Sequence, residues 1–117
     1  MTDIAARYIE VWNETDAVKR RHLIDELFTE DATYTDPLAD VAGRDGIDAV
    51  IAGAQQQFAG LVFSVPSPAD AHHDIARFTW HLGAPEAAEP LAIGFDVVRL
   101  ADGRITGVFG FLDRVPG

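Results

Sequence analysis

The stretch Leu27-Phe28-Thr29-Glu30-Asp31-Ala32-Thr33-Tyr34-Thr35-Asp36-Pro37-Leu38 decides how the rest of the chain is read. Its first half reads as the end of a helix. Its second half reads as a short strand, in which Ala32, Tyr34, Asp36 and Leu38 share one face by alternation. Asp36 therefore sits among apolar neighbours, and Pro37 keeps it extended because the ring crowds the α region of the preceding residue. A carboxylate fixed on an apolar face is costly unless it has a task. The competing reading makes Asp36 an exposed turn residue that caps nearby amides.

Working outward, residues 3–14 have helical spacing, with Asp3 or Thr2 as the cap and Ile4, Tyr8, Val11 and Trp12 as one stripe. Asp16 caps a second helix that buries Leu23, Ile24, Leu27 and Phe28, and Lys19-Arg20-Arg21 reads as a solvated helix face. On the other side, residues 39–46 read as a polar loop. A third helix follows through Ile47, Val50, Ile51, Ala54 and Phe58 to a stop at Gly60.

The second half changes period. Leu61 to Val65 is a short apolar run. His72 to Leu82 alternates, with Ala76, Phe78, Trp80 and Leu82 opposite Arg77, Thr79 and His81. Leu91 to Leu100 and Ile105 to Asp113 are further strands, joined by a hairpin at Asp102-Gly103. Helices first and strands later make a single α+β domain over residues 1–117, with helices on one face of a mostly antiparallel sheet. If Gly94, Asp96 and Gly110 face the helices, their small side chains leave a cavity. Phe95, Val97, Phe109 and Phe111 then form an outer apolar patch that implies a homodimer. If the faces are reversed, those residues are simply core.

The totals narrow the function. A net charge of −10 over 117 residues argues against nucleic acid and anionic membranes as partners. The absence of cysteine removes disulfides, cysteine-zinc sites and thiol nucleophiles. No basic leader or long apolar run is seen, so a soluble cytoplasmic protein is expected. His72-His73 before Asp74 hints at a metal, but adjacent strand residues point oppositely and rarely chelate one ion. No metal site and no phosphate-binding fingerprint is expected.

The chain resembles the nuclear-transport-factor-2-like superfamily, nearest its SnoaL-like polyketide cyclase and ketosteroid isomerase branches. The residues that carry the resemblance are Arg7-Tyr8 with Trp12-Asn13, the run Leu27 to Ala32 into Tyr34-Thr35-Asp36-Pro37, Gly43 to Ile47, Phe95-Asp96 and Asp102 to Ile105. It implies a cone-shaped, cystatin-like fold of three N-terminal helices on a curved sheet. The scaffold hosts isomerases, cyclases, hydrolases, dehydratases and pure binding modules.

By resemblance to ketosteroid isomerase, Asp36 takes the place of the aspartate base. Tyr8 and a protonated Asp96 take the places of the oxyanion donors. By resemblance to the cyclases, Asp96 is instead the acid/base. Asp-Pro is followed here by Leu38-Ala39-Asp40 rather than a small glycine-bearing turn, and Trp80 stands where a smaller pocket residue is expected. Both departures bear on a steroid substrate more than on the chemistry.

The chemistry these types suit is proton removal α to a carbonyl of an apolar ketone, steroid-like or polyketide molecule, with no cofactor. Burial raises a carboxyl's pKa toward a useful base, and each well-placed donor is worth roughly 3–4 kcal/mol to a developing enolate. Trp12, Phe58, Phe78, Trp80, Val98, Gly110 and Leu112 are the expected pocket walls. Aromatic walls suit an ordinary core equally, and Tyr8 on a helix stripe suits a core residue bonded to a backbone carbonyl. Hence the alternatives of an apolar-ligand-binding or dimeric interaction module, or a hydrolase or dehydratase of the same fold, remain open. The hydrolase chemistry needs an arginine between two aspartates, whereas Arg77 and Arg99 are predicted to point outward. The dehydratase chemistry needs an inward histidine, which His81 supplies only in a register shifted by one.

Overall fold

The computed structural model describes residues 3–115. Helix α1 (Ile4–Asn13) starts where the Asp3 carboxylate accepts the Ala5 amide at 3.0 Å, satisfying one of the amides a helix start leaves open. Thr2, the other cap candidate, lies outside the described residues. Asp16 caps α2 (Ala17–Leu27) in the same way, accepting from Val18 and Lys19.

The decisive stretch contains more strand than its pattern indicated. Helix α2 ends at Leu27, and Phe28 already has extended backbone as the first residue of β1 (Phe28–Thr35). A register shift between Phe28 and Thr33 leaves Glu30 and Asp31 exposed, and such a bulge erases the alternation a strand would show. Past Asp36 the chain turns, so Leu38 is 82% exposed and does not share the face of Tyr34. The turn sends residues expected to be loop back against β1 as β2 (Asp40–Ala42). Helix α3 (Arg44–Gln57) then begins after Gly43, whose φ of 88° suits glycine.

Strand β3 (Val62–Ser64) follows. The strand expected from His72 to Leu82 is two strands, β4 (Asp70–His72) and β5 (Ile75–Gly83), turning at His73 with φ 51°. Strands β6 (Ala92–Ala101) and β7 (Arg104–Arg114) are joined at Asp102-Gly103, both at positive φ as this hairpin requires. The sheet order is β2-β1-β7-β6-β5-β3, with β4 beside β5. Among the described residues only the β1–β7 pair is parallel. The result is three helices on one face of a curved, unclosed sheet, the expected α+β architecture.

The sheet faces are oriented as the cavity reading required. Phe78, Asp96, Val98 and Val108 are buried under the helices. The cross-strand pairs Phe95–Phe111 and Val97–Phe109 lie on the other side, where Phe109 and Phe111 are exposed. One surface expectation fails. Arg20 is buried, with Nε 2.7 Å from Asp48 Oδ1 and a terminal nitrogen 2.7 Å from Gln55 Oε1. The Gln55 amide group donates in turn to the carbonyls of Trp12 and Glu14. Arg20 thus ties the three helices together and fixes the end of α1 that carries Trp12.

Candidate active site

A cavity of about 710 Å³ lies between α1, α3 and the inner face of the sheet. Tyr8 and Trp12 reach it from one face of α1, a turn apart, where i and i+4 side chains align. Asp96 reaches it from β6, and Tyr34 and Asp36 from the end of β1. Phe58, Trp80 and Leu112 complete the expected residues that line it. The exposed side chains of Leu38 and Val115 stand at its rim.

Three expected wall residues are placed differently. Phe78 and Val98 are core, 3% and 0% exposed; Phe78 packs edge-on against Tyr8 at 5.5 Å, which screens it from the cavity. Gly110 lies beneath the two carboxyls. A Cβ there would stand 2.8 Å from Asp96 Oδ1 and 3.3 Å from Asp36 Cβ, so the missing side chain makes room for both acids. Gly94 does not open the cavity as expected, because the Trp80 indole occupies the space its side chain would take. Tyr34 and Phe63 line the cavity and were missed. The alternation that placed Asp36 also pointed to Tyr34. Phe63 carried no sequence signal: its strand is held by Asn13, whose side chain exchanges two 2.8 Å bonds with the Phe63 backbone.

Asp36 is both a cavity residue and a turn residue. Its Oδ1 accepts the amides of Leu38 and Ala39, each at 2.8 Å, and its Oδ2 accepts the Tyr34 hydroxyl at 2.5 Å. Three donors fix the orientation of this carboxylate. Burial, and then the bond to Asp36, push the Tyr34 pKa far above its ordinary range, so Tyr34 remains a donor.

Asp96 has a different environment. It is 3% exposed, and no arginine, lysine or histidine lines the cavity among the described residues. Burial pushes its pKa up to about 6, and the Asp36 charge acts in the same direction; the Trp80 indole and the Tyr8 hydroxyl, as donors, pull it partly back. Tyr8 is held well above its ordinary pKa, first by burial and then by the nearby Asp96 charge. Its hydroxyl lies beside Asp96 and the Trp12 indole, near enough to act on the carboxyl and to be acted on by the indole, without ordinary hydrogen-bond geometry to either. Tyr8 Oη and Trp12 Nε1 are the buried side-chain polar atoms without a partner among the described residues. Such a group typically costs about 1–3 kcal/mol.

The sequence model of the SnoaL-like domain matches residues 5–108. The chain belongs to the SnoaL-like family. This SnoaL-like chain is 42% identical to a candidate isomerase of the SnoaL-like family from Agrobacterium tumefaciens, over 94% of both chains, with a TM-score of 0.88. A candidate polyketide cyclase from Sinorhizobium meliloti shares the fold at 19% identity, with a TM-score of 0.72 over 97% of this chain and 95% of that one. So does a protein of ketosteroid isomerase-like fold from Catenulispora acidiphila, in complex with trimethylamine, at 19% identity and a TM-score of 0.76 over 98% and 87%. No curated protein matches the chain. Among the described residues of this SnoaL-like domain, no helix is long and apolar enough to cross a membrane.

Proposed function

We propose that this SnoaL-like protein moves a proton α to the carbonyl of an uncharged, apolar ketone or polyketide-like molecule, without a cofactor. The carrying observation is Asp96, a buried carboxyl on the cavity wall whose pKa is raised to about 6. A group that changes protonation near neutral pH serves as both acceptor and donor of the substrate proton. Its carboxylate would take the α-proton, an enolate would form, and the same proton would return at the product carbon. Asp36, already engaged by three donors, would shape the cavity beside Asp96. Tyr8, kept protonated, supplies a hydroxyl to the carbonyl oxygen as its charge grows.

The test is α-proton exchange of a panel of aryl and polycyclic ketones in D2O, followed by proton NMR. Wild-type protein should accelerate exchange above buffer and Asp96→Asn should not. No acceleration by wild type across the panel would defeat the enzymatic reading. The three bonds on Asp36 favour a second reading, an apolar-ligand carrier in which that carboxylate only shapes the rim. Tight ketone binding without exchange is its signature.

We also propose a cytoplasmic location and a homodimer through the outer sheet face. The dimer is supported by the exposure of Phe109 and Phe111 beside Phe95 and Val97. Sedimentation that shows dimeric wild type and monomeric Phe111→Glu would fit it, and monomeric wild type would not.

A further inference from the structure

Asp96 stands between two glycines that serve it differently. Gly110, its partner across β7, leaves the room that the carboxyl occupies. Gly94 lies two residues before it on the same inward face of β6 and pairs with Trp80 on β5. A Cβ at Gly94 would stand 2.0 Å from Trp80 Cζ2, 2.2 Å from Cε2 and 2.7 Å from Nε1. No side chain fits in that gap. The N–H edge of the indole therefore crosses β6 only because residue 94 has none. Glycine weakens a strand interior and marks a close approach. Here what approaches is the one edge of the ring that carries a donor.

The indole is also held from its other side. Phe63 packs edge-on against it at 5.5 Å, and Asn13 clamps the Phe63 backbone with two side-chain bonds. Trp80 nevertheless stays half-buried and lines the cavity together with Asp96. An indole N–H can only donate, and the Asp96 carboxyl is an acceptor within its reach. The titratable groups that face Asp96 are Tyr8 from α1 and Asp36 and Tyr34 from β1. No arginine, lysine or histidine lines the cavity among the described residues.

We infer that Trp80, seated on Gly94, is a positioning residue for Asp96: its indole N–H holds the ionised carboxylate in the orientation from which it takes a proton in the cavity. A donor binds the charged carboxylate more strongly than the neutral acid, so Trp80 favours the form that acts as base. It acts through Asp96 and needs no contact with the ligand. This inference rests on the proton-transfer reading above.

The test is site-specific replacement of Trp80 by benzothienylalanine in the full-length protein. That residue keeps the indole shape and removes only the N–H. Carbon-13 NMR follows the Asp96 side-chain carboxyl through a pH titration, and the pH profile of ketone α-proton exchange is recorded beside it. Loss of one donor to the charged form should raise the Asp96 midpoint by about one pH unit, and the rising limb of the exchange profile should move with it. Gly94→Ala keeps the tryptophan but drives its N–H edge off the strand, so it should move both readouts the same way. An unchanged midpoint in the benzothienylalanine protein would make Trp80 a plain wall residue and overturn the inference, with ketone chemistry untouched. A raised midpoint beside a wild type that exchanges no ketone proton would uphold the hold on Asp96 and defeat only the ketone reading. If Gly94→Ala fails to fold, the benzothienylalanine protein decides alone.

Discussion

Replacing Asp96 by asparagine should stabilise the protein at neutral pH while it disables the site. The carboxyl pKa is raised from 3.8 to about 6, first by burial. Between those values the folded chain holds a proton that the unfolded chain has released, so stability falls as pH rises through that window. A shift of roughly two units at about 1.36 kcal/mol each makes the penalty about 3 kcal/mol once the pH is above the folded value. Asparagine keeps the shape and never ionises. Its advantage over wild type should be near zero at about pH 4, grow through about pH 6 and then level off. Urea unfolding of both proteins at a series of pH values reads this difference directly, because every other titrating group is common to the two. A difference that stays flat with pH, or an Asp96→Asn protein that loses stability relative to wild type as pH rises, would refute the reasoning.

Gly110→Ala should cost about 1–3 kcal/mol in chemical denaturation, since the new methyl meets Asp96 Oδ1 at 2.8 Å and Asp36 Cβ at 3.3 Å. Gly53→Ala on α3, where a Cβ would meet nothing within 4 Å, should instead gain about 0.5–1 kcal/mol in the same assay. Arg20→Met leaves Asp48 and Gln55 without their donor and should lose about 3 kcal/mol, read as a lowered urea midpoint.

The architecture was legible because its signals are periodic. Tyr8 and Trp12 announce their shared helix face, and Phe78, Trp80, Asp96 and Val98 announce the inner sheet face, by spacing alone. The misreadings fall where spacing fails. Glu30 and Asp31 sit in a bulge, so β1 was read as helix until Ala32. His73 takes a left-handed backbone that glycine usually signals, so the β4–β5 hairpin was invisible. Arg20 belongs to a basic triplet, and nothing local says that Asp48 and Gln55, 28 and 35 residues away, will bury it.

The site was legible in residue type and less so in role. Asp36, Tyr8 and Asp96 do line one cavity. Which acid is free to move a proton depends on the Leu38 and Ala39 amides and the Tyr34 hydroxyl, whose positions follow from the turn that Asp36 itself nucleates. The wall set was overdrawn at Phe78 and Val98, because facing inward in a sheet does not separate core from cavity.

The proposed chemistry depends on Asp96 changing protonation near neutral pH inside an apolar cavity. Carbon-13 NMR titration of the Asp96 side-chain carboxyl, in wild type and in Asp36→Asn, tests it most directly. The expected wild-type midpoint is about 6, and it falls when the Asp36 charge is removed. A midpoint in the ordinary carboxylate range near 4, unmoved by that substitution, would contradict it.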